Sequence, residues 1–214
     1  QGALPALLVY FKEALNLSYT LSGVILLSAN LTSSIIQPAF GYLSDRKPMG
    51  WFLPLTPFIA CLGMALAGFA PNYSLLLLCV MMSGVGVASF HPEGFKTAYF
   101  FTGDKKATGM SFFAVGGSLG IAVGPISALA LVSYFGLKGT LGLVIPGALI
   151  AVILFINLSW LFSPVQSAHK EAKKGIKAPL SRNQITSFLL LIGIATTRAW
   201  TQFGLVTYIP FYYI

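Results

Sequence analysis

Charge is what this sequence has least of. Only 8% of its 214 residues are Asp, Glu, Lys or Arg, and five of them are acidic, whereas a soluble domain carries about a quarter. So low a density, spread along the whole chain, excludes an ordinary soluble domain. The 56% of residues that are hydrophobic must face lipid or one another. Cys61 and Cys79 both sit inside apolar runs; they read as small buried hydrophobes and exclude a disulfide framework. His91 and His169 stand far apart, and a lone histidine is no zinc site. No glycine-rich loop follows a strand, so there is no phosphate cradle for nucleotide hydrolysis. An enzyme, a metal and a cofactor are therefore not expected, and energy must come from an ion gradient, here a proton gradient, or from a partner. The net charge of +8 does not point to nucleic acid, because a basic footprint needs Lys and Arg clustered on a polar face. Here they fall in short gaps between apolar runs.

Those runs are what the sequence does have. Spans are expected over Tyr19–Leu43, Trp51–Ala70, Tyr73 to Phe101, Ser111–Phe135, Leu141–Phe162 and Ile185 to Tyr213. The first apolar stretch, Ala3 to Phe11, has about nine residues where a helical span needs roughly 20. It lacks the basic flank and cleavage site of a signal peptide. The chain therefore reads as beginning inside its first span and ending soon after its last. Charged or glycine-bearing turns break the runs at Asp45–Gly50, Gly103–Lys106 and Gly136–Gly139, and Pro71 ends another. The single long polar stretch, Ser163 to Arg182, reads as a linker. The expected organisation is an all-α integral membrane protein: a six-helix bundle over 1–163, a basic linker over 164–183, and the first helix of a second half over 184–214.

Alternate gaps orient the spans. One side holds nine basic residues (Arg46, Lys47, Lys105, Lys106, Lys170, Lys173, Lys174, Lys177, Arg182) and the other holds two, Lys12 and Lys138. Positively charged gaps favour the cytoplasm, which puts the Asp45 turn, the Asp104 turn and the linker there. Six helices, a linker and then more helices is the layout of a transporter built from two halves.

Two glycine motifs stand out. In Gly41-Tyr-Leu-Ser-Asp-Arg-Lys-Pro-Met-Gly50, Gly41 allows a close helix approach, and Asp45 and Arg46 can bond helix ends and neighbouring charges. In Gly116-Gly-Ser-Leu-Gly-Ile-Ala-Val-Gly-Pro125, Gly116, Gly120 and Gly124 share one face and suit close packing in lipid, while Pro125 can bend the helix. The first resembles the loop signature of the major facilitator superfamily, with Pro48, Met49 and Gly50 departing from its pattern. The resemblance implies that Asp45 and Arg46 latch two halves together. The second resembles the fifth-helix pattern of that superfamily's antiporters, with Ala128 and Leu129 in place of the final glycines. Ser-Phe-His-Pro-Glu-Gly at 89–94, with Tyr-Leu-Ser-Asp-Arg-Lys-Pro-Met at 42–49 and Gln1-Gly-Ala-Leu-Pro-Ala-Leu-Leu at the start, resembles the superfamily's fosmidomycin-resistance-like branch. That branch implies a proton-coupled drug exporter of a bacterial inner membrane.

Ionisable residues inside spans are costly and usually functional, and four qualify. Arg198 lies 13 residues past Ile185, about 20 Å along a helix. With Thr201 and Gln202 it forms a polar face, for a substrate or for a structural ion pair. Glu93 and Lys96 are three apart, close enough to pair on a helix, and so read as an interfacial ion pair. The other reading uses Pro92. Proline suits a first helical turn and Glu suits the positive end of the dipole, so His91-Pro92-Glu93 can start a half-helix capped by Ser89 or His91. Glu93 and His91 are then the proton carriers, and Lys96 and Arg198 attract an anionic substrate. Asn30, Ser34, Gln37 and Gly41 share a face of the second helix, as a cavity wall or as hydrogen-bonded packing. The expected function is proton-driven export of small drug-like or anionic compounds by a monomer in a lipid bilayer. The alternatives are import of a sugar or organic anion, and a membrane receptor or scaffold that does not transport.

Overall fold

The computed structural model describes residues 2–47, 49–174 and 181–212, with side chains for all of these except 172–174 and 202–212. Among the described residues the chain is helical and without strands. Its helices are α1 (Ala3–Ala14), α2 (Tyr19–Arg46), α3 (Phe52–Ala67), α4 (Tyr73–Phe101), α5 (Lys106–Phe135), α6 (Val144–Ile156), α7 (Leu158–Lys174) and α8 (Arg182–Tyr212), with a 3-10 segment, Gly136–Leu143, between α5 and α6. The chain forms two compact units, Gln1–Ala172 and Lys173–Ile214. Among the described residues, three helical stretches are long and apolar enough to cross a membrane: Tyr19–Arg46, Tyr73–Phe101 and Lys106–Ile156; α3 is a shorter apolar helix.

The helix starts follow local chemistry. Ser18 caps α2 by accepting from the Leu21 N–H at 3.2 Å, and Asn72 caps α4 by accepting from the Leu75 N–H at 2.9 Å. Several boundaries shift from the sequence reading, α2 running on to Arg46 and α3 stopping at Ala67. α1 reaches Ala14 instead of Phe11, and α5 begins at Lys106 instead of Ser111. The sixth span does not end at Phe162. The N–H groups of Asn157 and Leu161 donate to the carbonyls of Ile153 and Asn157, so the helical course continues from α6 through α7 to Lys174, into the stretch expected to be linker. The Gly136–Gly139 turn is instead the start of the 3-10 segment. Gly136, Gly139 and Gly142 recur every three residues, which matches three residues per turn, and a Cβ at Gly139 or Gly142 would run into Leu131 of α5.

Close backbone contacts hold the first unit around α4. A Cβ on Gly86 would lie 2.5 Å from the Ala60 nitrogen, and one on Gly63 would lie 2.6 Å from the Ser83 nitrogen, so α3 and α4 cross antiparallel almost backbone to backbone. On another side of α4, a Cβ on Gly84 would lie 2.9 Å from the Ala29 carbonyl of α2. Lipid gives no hydrophobic drive for helix association, so such small-residue contacts carry it. The largest fully buried side chains, Phe11, Leu7, Ile25, Leu76 and Val80, fill the core between α1, α2 and α4. α2 and α4 run parallel: Leu21 faces Tyr73, Ala29 faces Gly84 and Ser44 faces Lys96. The Asp45 and Asp104 turns therefore lie at the same end of the bundle, as alternating spans require.

The expected packing glycines are not these. A Cβ at Gly116 or Gly120 meets nothing within 4 Å, so that face of α5 is open. Only the end of the motif packs: Gly124 lies 3.4 Å from the Ala3 nitrogen. Pro125 lacks the N–H that would bond Ile121, and Gly2 rests on that freed carbonyl, where a Cβ would sit at 3.0 Å. Gly41 meets only Pro92 Cβ, at an ordinary 3.9 Å, so its approach does not demand glycine. Gly86→Val should cost about 1–3 kcal/mol by overpacking and lower the melting temperature by roughly 3–10 °C, whereas Gly116→Ala should not lower it. Thermal unfolding in detergent checks both.

Candidate functional site

The site is built on α4, a single helix of 29 residues and about 43 Å. Pro92 does not start a new half-helix, which corrects the sequence expectation. The helix runs straight through it, losing only the bond a residue-92 N–H would make to Ala88, a loss that membrane helices tolerate. Ser89 caps nothing: its hydroxyl donates back to the Val85 carbonyl at 2.7 Å.

Glu93 lies seven residues beyond Gly86, on the face of α4 that packs on α3. It is 3% exposed, and neither carboxyl oxygen has a hydrogen-bond partner. Burying an unpaired carboxylate costs far more than burying a neutral carboxylic acid. One turn along the same face, Thr97 is 5% exposed, and its hydroxyl is also unpartnered. Thr97 lines a cleft of about 190 Å³ together with Leu53, Phe90, Gly94 and Phe113. Thr56 of α3 adds a second buried hydroxyl without a partner. These threonines were not singled out in the sequence. Thr97 was legible as the residue four beyond Glu93, and Thr56 had no local signal.

His91 is half-buried among aromatics, stacked on Phe95 at 5.9 Å and edge-on to Phe90 at 6.4 Å; its Nδ1 is buried and unpartnered. It points away from Glu93, so the two candidate proton carriers do not form a pair.

Lys96 does not pair with Glu93 either, which corrects the interfacial ion-pair reading. Its ammonium donates to the Ser44 carbonyl at 2.8 Å and the Ser44 hydroxyl at 2.9 Å, and it lies 3.2 Å from Asp45 Oδ1. Lys47 bonds the Leu43 carbonyl, but the next residue is Pro48, which has no N–H for Ser44. Lys96 supplies that donor and places a positive charge at the C-terminal end of α2, where the helix dipole favours it. Asp45 is thus engaged inside this bundle. Arg46 turns elsewhere, its guanidinium 4.4 Å from the Tyr42 ring centre.

The remaining candidates lie on other helices. Asn30 is exposed on α2 and donates to its own helix at Leu26, 3.1 Å away; Gln37 is half-buried on that helix. Arg198 belongs to α8 in the second unit and is exposed, beside Ile194, Thr197 and Thr201. The Thr201 hydroxyl donates to the Thr197 carbonyl at 3.0 Å. The Gln202 side chain lies outside the described residues. Among the described residues, no three His, Cys, Asp or Glu side chains gather into a metal site.

Sequence comparison agrees with this helical, sparsely charged architecture. Residues 1–214 match the Major Facilitator Superfamily. The chain is 28% identical to the fosmidomycin resistance protein of Escherichia coli over all of its own length and 52% of that protein. It is 28% identical to an uncharacterized MFS-type transporter of Bacillus subtilis over 89% of its length and 47% of that protein. It is 31% identical to a probable L-galactonate transporter of Escherichia coli over 60% of its length and 28% of that protein. The chain thus spans about half the length of the first two relatives. No solved structure matches it.

The Lys96 contacts make a graded prediction. Lys96→Met removes two hydrogen bonds and a helix-end charge and should lower the melting temperature by roughly 2–6 °C. Asp45→Asn removes only one partner of an exposed ion pair, generally worth less than about 1 kcal/mol, and should have the smaller effect in the same thermal-unfolding assay.

Proposed function

The chain belongs to the Major Facilitator Superfamily, and from that premise we propose that it forms part of a proton-coupled exporter of small drug-like or anionic compounds. That it is a multi-pass membrane transporter follows from the family and the apolar helices. The observation that carries the coupling is Glu93, a carboxyl group buried in a membrane helix without a hydrogen-bond donor or counter-ion. A carboxyl group held there meets water or a cation only if the site's access changes, and a change of access is what exchange transport requires. Similarity of the whole chain to about half of a fosmidomycin resistance protein supports a small anionic drug as cargo. Arg198 supplies a cation for it within a span, with Asn30, Gln37 and Gln202 as candidate polar contacts. Asp45 and Arg46 latch the two halves on the cytoplasmic side in this reading, Lys96 holding Asp45 in place. The membrane is the bacterial inner membrane, with the basic segment 164–183 in the cytoplasm.

A second reading, transport of an organic anion such as a sugar acid, draws on the similarity to a probable L-galactonate transporter. The two readings differ in the sign of the proton flux. Reconstituted full-length protein in liposomes acidified inside should accumulate fosmidomycin if protons leave as the drug enters. Uptake driven only by acid outside would reject exchange in favour of co-transport. Flux indifferent to the pH gradient, across a panel of anionic drugs, would reject proton coupling altogether. Glu93→Gln should reduce gradient-driven flux at least about tenfold, a loss of 1.4 kcal/mol or more in coupling, while expression and melting temperature stay unchanged.

A further inference from the structure

The face formed by α3 and α6 is the most apolar part of the first unit. The two helices run antiparallel and touch where Gly147 seats on Cys61, leaving 2.5 Å between a Gly147 Cβ and Cys61 Cβ. Toward the start of α3 they diverge. The opening is a groove of about 410 Å³ lined by Trp51, Leu55, Phe58, Val152 and Phe155. Its walls are exposed: Trp51 is 56%, Val152 55% and Phe155 70% accessible. The groove offers essentially no hydrogen-bonding group, so a polar solute gains nothing there.

At Trp51 the groove meets a second cleft of about 250 Å³ with a different character. Ser159 and Gln166 of α7 line it, and its floor is the Phe162 ring. Gly50 is packed so tightly on that ring that a Cβ would come within 2.6 Å. Ser159 and Gln166 are exposed. Two basic residues stand close in the chain to residues that line the cleft. Lys47, the C-cap of α2, precedes Gly50 by three residues, and Lys170 follows Gln166 by four on α7, one turn along the same face. Both are exposed. The nearby carboxylates are Asp45, engaged by Lys96, and Glu171 on α7, set beside Lys170. The helix end is basic on balance.

An apolar trough ending at an indole and then at a basic, hydroxyl- and amide-bearing pocket has the shape of one amphiphile. Tryptophan favours the headgroup level of a bilayer, and basic residues at that level attract anionic lipids. We propose that the α3–α6 groove and the Trp51–Gln166 cleft form one binding site for an anionic phospholipid of the leaflet on the basic side. An acyl chain lies along Phe58, Val152 and Phe155, and the ester region rests on Trp51. Ser159 and Gln166 donate to the phosphate, and Lys47 and Lys170 flank it. The site is separate from Glu93 and does not depend on the transport reading.

The test uses purified full-length protein stripped of lipid in detergent and titrated with phosphatidylglycerol or phosphatidylcholine. Thermal unfolding measures stabilisation, and native mass spectrometry counts retained lipid. Phosphatidylglycerol should raise the melting temperature by about 3 °C or more beyond phosphatidylcholine and stay bound as a single adduct. Val152→Trp fills the groove from an exposed position and should abolish the rise with both lipids. Lys47→Glu combined with Lys170→Glu should abolish the preference for phosphatidylglycerol while leaving the weaker response to phosphatidylcholine. Equal responses to the two lipids in the unaltered protein would overturn the proposal. So would a phosphatidylglycerol preference that survives both variants, or the absence of any retained lipid.

Discussion

The near-contact of α4's backbone with α2 and α3 is the constraint on which the first unit depends. Gly63, Gly84 and Gly86 remove the side chains that would otherwise hold the helices apart, and dispersion between close backbones replaces the hydrophobic drive that lipid cannot provide. With the helices this near, α4 is covered on several sides over its middle and its later turns. Burial is what makes a carboxyl group at position 93 consequential. On an outward face Glu93 would only be a poorly placed surface charge.

Two ionisable residues one turn apart on α4 meet opposite fates. Lys96 reaches the end of α2 and finds a carbonyl, a hydroxyl and a carboxylate there. Glu93, on the α3 side, finds no partner. The same helix therefore carries a satisfied cation near its rim and an unsatisfied acid deeper in. The first fixes structure; the second is held by packing alone. Treating the two as a pair, as their spacing invites, hides that difference.

Much of the architecture was legible because it depends on local chemistry. Long apolar runs mark spans, and the basic gaps predict the alternation that the parallel course of α2 and α4 displays. What was not legible depends on contacts between helices. The glycine motif at 116–124 looks like a packing surface on one helix, yet at Gly116 and Gly120 it faces no other part of the described chain. Gly63 and Gly86 lie on different helices, and their pairing has no pattern in either sequence alone. Lys96 was read locally, with Glu93 three residues away, and the decisive partner was 52 residues distant. One clue was in plain view: Pro48 deprives Ser44 of a backbone donor, and a donor had to come from somewhere. The half-helix at Pro92 failed for the converse reason, because a proline inside a well-packed span loses one bond and the neighbours hold the helix together.

The parallel register of α2 and α4 has a mechanical meaning. At one end the Tyr73 hydroxyl donates to the Leu21 carbonyl at 3.4 Å; at the other Lys96 holds Ser44. Both links join residues 52 apart, so the helices are pinned at each end with the same offset. Sliding one along the other by a single residue, about 1.5 Å, would break both pins at once and drive Gly84 off the Ala29 carbonyl. The pair behaves as a strut. Any motion that keeps these contacts carries α2 and α4 together as one piece.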